Sequence, residues 1–207
     1  MVVRNLGAYL DQSLLLKDHV SRLVRSCFYQ LRRIKSVRRL LPTSVAIQLV
    51  NSFVISRVDY CNSILAGSPV NLTNQIQSVL NAAARLLYGR GRFDHITDIL
   101  RDKLHWLRVP QRIAFKCALL VYKAQNGLAP SYISRSCVRS SSVQTRYALR
   151  SASRDTLVIP RTKTKFGERS FAVAGPTIWN SLPDSVKAAE TVGIFKSRLK
   201  THLFGLS

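Results

Sequence analysis

An apolar residue recurs at every third or fourth position through much of this chain, and that spacing limits its fold more than any other feature. The spacing matches the turn of an α-helix, whereas a half-buried strand alternates at every second residue. The same spacing returns from about Asn71 to Gly89 and from Pro110 to Asn126. It predicts a mainly α fold. Between Leu16 and Leu40 the apolar stripe consists of Val20, Leu23, Val24, Cys27, Phe28, Leu31 and Ile34.

Breaks in this pattern divide the chain into elements. The segment VVRNLGAYLDQS at residues 2–13 has the β-branched and aromatic content of a short strand and ends in a polar turn. Pro42 precedes a second helix, and Gly89 ends a third. Residues 135–169 are rich in Ser and Arg, with one strand-like run from Thr156 to Ile159. The predicted helices span about 16–40, 43–65, 71–89, 94–104, 110–126, 170–181 and 191–204.

The charge balance indicates a polyanionic partner. The chain has 207 residues, with 32 Lys and Arg against 10 Asp and Glu, which gives a formal net charge of +22. An enzyme acting on a neutral metabolite has no need of such an excess, because it raises self-repulsion in the folded state. Cations placed on phosphates release condensed counterions, so nucleic acid is the partner we expect. The alternative is a solvated basic surface without a dedicated partner.

The cations of the predicted 16–40 helix lie opposite its apolar stripe. No acidic residue occurs between Val20 and Val58. Such a helix can pack its apolar face on a neighbour while its arginine-rich face follows a phosphate backbone, although charge runs also occur as solvated faces only. The candidate nucleic-acid-binding residues are Arg22, Arg25, Arg32, Arg33, Lys35, Arg38 and Arg39, with Arg161, Lys163 and Lys165 as a second cluster.

Asp59, in the stretch VISRVDYCNSILAG, raises the possibility of a catalytic carboxylate. Two-metal phosphoryl transfer requires several carboxylates that converge on the ions. The nearest acidic residues along the chain are Asp18 and Asp94, both far away in sequence. We therefore expect a hydrogen-bonding or capping role for Asp59 and predict no catalytic residue.

Three other groups of residues suggest a site but have simpler explanations. Asp94, Asp98 and Asp102 repeat at four-residue spacing, which permits a metal site but also describes the acidic start of an ordinary helix. We predict no metal ligands. The GRGR segment at residues 89–92 follows a helix rather than a strand, so a basic turn is favoured over a dinucleotide loop. Trp106 and Trp179 lie in apolar patterns, so core packing is favoured over base stacking.

Cysteine usage and hydropathy favour an intracellular protein. Cys27, Cys61, Cys117 and Cys137 do not have the spacing of a metal site, and no signal peptide precedes them. The longest apolar runs are shorter than a membrane span, so we expect neither a transmembrane segment nor membrane association. The predicted localisation is the nucleus and cytoplasm.

The order of local motifs resembles the region that follows the palm in LINE-type (non-LTR) retrotransposon reverse transcriptases. The motifs cover nearly the whole chain and run RNLGAYLD, KDHV, VDYCNSILAGSP, IQSVLNAAARLLYG, RFDHITDILRDKLHWLRVPQRIAFKCALLVYKAQNGLAPSYI, VIPRTKTKFGERSFAVAGPTIWNSLPDSVK and FKSRLKTHLF. The resemblance implies a helical thumb-like bundle with a short N-terminal strand remnant and a small mixed C-terminal region. The implied domains are a palm-end strand remnant at 1–15, a thumb-like domain at 16–138, and a basic segment with a C-terminal helical region at 139–207.

The resemblance also defines what this region lacks. The family's catalytic motif contains an Asp-Asp pair, and this sequence contains none. The resemblance therefore implies RNA-directed DNA polymerase activity, with Mg²⁺, for the parent protein and not for this chain alone. The implied partners are RNA or an RNA–DNA hybrid and the palm and fingers of the parent. The competing hypothesis is a non-catalytic structural or interaction remnant without independent function.

Overall fold

The computed structural model describes residues 2–12, 14–142 and 156–206 and confirms a mainly helical chain with a two-stranded antiparallel sheet at its start. The chain divides into two compact units. Met1–Asn62 and Ser68–Pro110 form the first unit, and Ser63–Gly67 and Gln111–Ser207 form the second. The three domains predicted from the resemblance, with boundaries after residues 15 and 138, are not the same as these compact units. Those boundaries stay a prediction.

The predicted strand remnant is a hairpin. β1 (Val2–Asn5) pairs with β2 (Ala8–Asp11) in antiparallel register. The turn between them has positive φ angles at Leu6 (44°) and Gly7 (87°), which match the twist of the strands on either side. The glycine permits this turn, so a segment with the composition of one strand folds back on itself.

The first unit is built on two long helices, α1 (Lys17–Val37) and α4 (Val70–Tyr88). Their apolar stripes face each other because residues three and four apart share one side of a helix. β2 also packs on α1. The buried residues of the two helices include Val20, Cys27, Leu31 and Ile34 from α1 and Ile76, Val79, Leu80, Ala83 and Leu87 from α4.

The second predicted helix is shorter than expected. α2 (Thr43–Val50) passes into a π-helical turn at Asn51–Ile55 and then into α3 (Ser56–Asp59), instead of running unbroken to Leu65. Cys61 takes a positive φ of 52° and ends the helical path. Apolar spacing continues beyond this point, and a left-handed cysteine has no sequence signal of the kind that glycine provides. Short 3₁₀ turns cover Arg38–Leu40, Asn62–Leu65 and Ser140–Ser142.

The helix predicted at 94–104 is present but shorter, with helical residues from 97 to 103. Its main part is the π-helical segment Ile99–Lys103. Asp94 does not begin a helix, because its carboxylate accepts the Gly91 N–H at 2.9 Å and closes a separate turn. The next helix, α5 (Val109–Gln125), begins close to the predicted position at Pro110.

The second unit has an aromatic core. The rings of Tyr122 and Phe195 stack with centroids 4.2 Å apart, and Trp179 lies 6.0 Å from Phe195. The Tyr122 hydroxyl donates to the Ala189 carbonyl at 2.7 Å, which satisfies its polar group inside the core. The helices of this unit after α5 are α6 (Ser131–Ser134), α7 (Lys165–Glu168), α8 (Phe171–Ser181), α9 (Asp184–Lys187) and α10 (Val192–Gly205).

The strand-like run from Thr156 to Ile159 forms a single bridge, between Leu157 and Arg139. The side-chain amide of Asn180 accepts the Leu157 N–H at 2.8 Å and donates to the Leu157 carbonyl at 2.9 Å. A side chain from α8 therefore fixes this segment in place of a second strand.

Candidate nucleic-acid interface

Six of the seven cations predicted on the first helix are exposed along it. The residues between Arg22 and Arg39 extend over about 25 Å at the rise of an α-helix. Burial of the opposite stripe against α4 fixes the orientation of this face, so the row of charges is held by the core of the unit. The exposed row, called here the α1 basic face, consists of Arg22, Arg25, Arg32, Arg33, Lys35 and Arg39.

Arg38, the seventh predicted residue, turns towards the fold. Its half-buried guanidinium donates to the Leu41 carbonyl at 2.9 Å, the Thr43 hydroxyl at 2.9 Å and the Leu87 carbonyl at 2.7 Å. Leu87 lies in the last turn of α4, where carbonyls without helical partners favour a cation. Arg38 thus joins the ends of α1 and α4, and we assign it to stability.

At the other end of α1, Arg22 lies against the hairpin. Its guanidinium carbon is 4.6 Å from the centre of the Tyr9 ring, within the range of a cation–π interaction. Arg22 and Tyr9 line a cavity of about 490 Å³ together with His19, Arg57 and Tyr60. The hairpin therefore closes one end of the α1 basic face.

His19 links the hairpin to α1. The His19 imidazole is buried, and its Nδ1 accepts the backbone N–H of Tyr9 at 3.4 Å. Burial lowers the pKa of His19, because a charged imidazole loses hydration there. The hydrogen bond requires Nδ1 to carry no proton, so the neutral ring suits both its surroundings and its partner.

Arg32 and Lys35 also line a groove of about 570 Å³ between α1 and the end of α4. Three further cations line this groove, and none was among the predicted binding residues. Two of them come from the GRGR segment, which the sequence predicted only as a basic turn. The groove, called here the basic groove, is lined by Phe28, Leu31, Arg32, Lys35, Ala82, Arg85, Leu86, Gly89, Arg90 and Arg92.

Hydrogen bonds hold the turn that carries these added cations. Gly89 ends α4 with a φ of 62°, and the Arg90 N–H donates to the Arg85 carbonyl at 3.0 Å. The Asp94 carboxylate accepts the Gly91 N–H, and the Asp94 carbonyl accepts from the Arg85 guanidinium at 3.2 Å. The sequence shows a basic turn, but only the packing of α4 on α1 places it beside Arg32 and Lys35.

The second predicted cluster belongs to the second unit. Arg161, Lys163 and Lys165 are exposed. Lys165 begins α7, a helix of four residues whose N-cap Thr164 accepts the Gly167 N–H at 3.1 Å. The structure provides no long helix to hold this cluster in a row.

The acidic residues are dispersed across several local roles. Asp59 lies half-buried in α3, while Asp94 closes the turn described above. Asp102 accepts from the neighbouring Arg101 at 2.8 Å, and this hydrogen bond lowers the pKa of Asp102. Within residues 2–12, 14–142 and 156–206, no group of three His, Cys, Asp or Glu side chains is arranged to hold a metal ion.

The tryptophans and most cysteines are core residues. Trp106 and Trp179 are 8% and 2% exposed, which confirms core packing. Cys27, Cys117 and Cys137 are buried, and burial raises the pKa of the Cys27 and Cys117 thiols to about 11. A thiol that stays protonated is a poor nucleophile and metal ligand, so Cys27 and Cys117 act as small apolar residues.

Two further observations concern similarity and membranes. No family model, curated protein or solved structure matches this chain. Across the described part of the chain, no helix combines the length and apolar character needed to span a membrane. The α1 basic face and the basic groove are therefore the features on which a function can be based.

Proposed function

We propose that this chain binds nucleic acid as the thumb and tail region of a LINE-type reverse transcriptase, with RNA or an RNA–DNA hybrid as its ligand. The observation that carries the proposal is the α1 basic face, a row of six exposed cations, five on α1 and Arg39 in the 3₁₀ turn that follows it. The order of sequence motifs along the chain, from RNLGAYLD to the VIPRTK segment, supports the family assignment by resemblance.

The geometry of this row suits a regular phosphate backbone. A helix of about 25 Å spans several successive phosphates, which lie about 3.4 Å apart along the axis of one strand of B-form DNA, with comparable spacing in a hybrid. The packing of α1 on α4 fixes the helix backbone that carries the cations before binding, so no backbone freedom needs to be lost when the phosphates arrive. Contacts of this kind position a duplex without selecting its sequence.

Catalysis is assigned to the parent protein and not to this region. The described acidic residues do not fit a Mg²⁺ pair, since Asp59 is a single carboxylate within α3 and Asp102 is paired with Arg101. The Mg²⁺ of polymerisation would accordingly be held by the Asp-Asp pair of the palm. Purified chain supplied with Mg²⁺ or Mn²⁺ is expected to give no primer extension.

The palm and fingers of the parent are the proposed protein partner. The hairpin leaves Val3 and Leu6 exposed, at 53% and 85%. Val3 lies in β1 and Leu6 in the turn, and an exposed apolar side chain on a short sheet is suited to contact with further strands. An intracellular location, in the nucleus and cytoplasm, follows from this function, because the ligand and the partner occur there.

The salt dependence of binding tests the proposal. Affinity for an RNA–DNA hybrid, measured by fluorescence anisotropy, is expected to fall with a log–log slope between about −3 and −5 as the α1 basic face loses its phosphate contacts. Affinity is expected to be nearly independent of sequence. A flat response between low and physiological salt would contradict nucleic-acid binding and favour the competing hypothesis of an interaction remnant.

A further inference from the structure

We propose that the basic groove binds an unpaired stretch of nucleic acid, with phosphates on its cationic rim and a base against its apolar floor. This inference rests on the proposed function and deepens it, because it assigns a single-stranded segment to a surface that shares only Arg32 and Lys35 with the duplex-binding face. The groove differs from the rest of α1 in shape, in the source of its cations and in the aromatic residue beside it.

The floor of the groove is apolar. Phe28 and Leu31 from α1 face Ala82 and Leu86 from α4 across a volume of about 570 Å³. This volume lies within the range of pockets that hold small organic ligands, so it accommodates a nucleotide. A duplex conceals the faces of its bases by stacking, whereas an unpaired base can place a face on an apolar surface.

The rim of the groove supplies the charge for the flanking phosphates. Arg32 and Lys35 line one side, and Arg85, Arg90 and Arg92 come from the end of α4 and the turn that follows. The hydrogen bonds of Asp94 to Gly91 and Arg85 hold that turn. A groove with cations on both sides can follow a single strand, which bends more readily than a duplex.

Phe93 extends this surface. Its side chain is 88% exposed, although burial of a phenyl ring is energetically favourable. The guanidinium carbon of Arg92, which lines the groove, lies 5.6 Å from the centre of the Phe93 ring. An exposed aromatic ring beside arginines is the arrangement on which unpaired bases stack without regard to sequence.

Arg25 and Arg33 provide a matched control. Both are exposed on α1, and neither lines the groove. We therefore expect Arg25 and Arg33 to contact the duplex, while Arg90, Arg92 and Phe93 contact the unpaired strand.

The test compares two ligands and three variants of the full chain by fluorescence anisotropy. One ligand is a blunt RNA–DNA hybrid, and the other is the same hybrid with a single-stranded extension. The variants are R90Q/R92Q, F93A and the control R25Q/R33Q, with thermal unfolding recorded for each. We expect R90Q/R92Q and F93A each to weaken binding of the extended hybrid by about tenfold, because each removes affinity that the extension adds. Binding of the blunt hybrid should change by less than about twofold.

The other outcomes distinguish failure of the inference from failure of the proposed function. Equal weakening of both ligands by R90Q/R92Q and F93A would overturn the inference, because the groove would then be part of the duplex surface. No weakening of either ligand would also overturn it. If R25Q/R33Q weakens blunt-hybrid binding in either case, the proposed function stands while the inference fails. If no variant affects any ligand, both fail.

Discussion

Two regions of the chain are rich in cations but differ in the backbone structure that carries them. One is the α1 basic face, and the other is the segment containing Arg161, Lys163 and Lys165. The first lies on α1 (Lys17–Val37), whose opposite stripe is buried against α4. The second is fixed at Leu157 by Asn180 and again at the short helix α7, and the residues between these points are exposed. Cations therefore form an ordered surface where a buried stripe holds their backbone, and not wherever they are numerous.

Replacing three cations on each support gives the largest expected difference. The triple variant R32Q/R33Q/R39Q is expected to weaken hybrid binding by about 100- to 500-fold at roughly 0.1 M salt, because each lost phosphate contact lowers the salt slope by about 0.9. Glutamine keeps the helix propensity of arginine nearly unchanged, so the unfolding temperature should change little. Affinity and its salt slope are measured together.

The matched variant R161Q/K163Q/K165Q removes the same charge from the second unit. It is expected to weaken binding by much less than the helix triple. Arg146, Arg150 and Arg154, which the sequence offers as another equal-charge control, lie outside the described residues. Equal losses from the two triples would show that net charge alone explains binding and that the thumb assignment is wrong.

A second pair of variants separates stability from binding within α1. R38Q removes the hydrogen bonds from the Arg38 guanidinium to Leu41, Thr43 and Leu87, so we expect it to lower the free energy of unfolding by about 2 kcal/mol. R39Q changes an exposed side chain, and we expect weaker hybrid binding with almost unchanged stability. Urea unfolding and anisotropy on both proteins measure the two effects. A stable R38Q protein with impaired binding would return Arg38 to the α1 basic face.

The smallest expected effect is a difference between the two units in how their stability depends on pH. Burial lowers the pKa of His19 below its ordinary value of 6.5, so the unfolded chain binds the proton more readily than the folded chain. The contribution of neutral His19 to stability is therefore complete above about pH 6.5 and is lost as the pH falls from there through the lowered pKa. We expect the first unit to lose stability as the pH falls below about 6.5, with a smaller loss in H19Q, whose amide cannot take up the proton.

Trp106 and Trp179 report on the two units separately, since each lies in the core of one of them. Fluorescence of the W179F variant follows the first unit, and that of W106F follows the second. The H19Q substitution should alter the pH response of the Trp106 signal and leave that of Trp179 unchanged. An identical pH response with and without H19Q would show that His19 does not control this transition.

The apolar spacing of the sequence predicted α1, α4 and α5 nearly to their ends, because a helix that buries one stripe must repeat every three or four residues. It failed after Asp59, where the left-handed Cys61 ends a helix whose apolar spacing continues. It also failed at Asp94, whose carboxylate closes a turn with Gly91 instead of beginning a helix. Both failures depend on single backbone or side-chain contacts that spacing does not encode.

The candidate site was likewise predictable in part from the sequence. Residue order and helical periodicity were sufficient to predict an apolar stripe opposite a row of cations on α1. They did not predict that Arg38 turns towards Leu87, or that Arg90 and Arg92 lie beside Arg32 and Lys35. These residues are distant in the chain, and their proximity results from the packing of α4 on α1, which local periodicity does not specify.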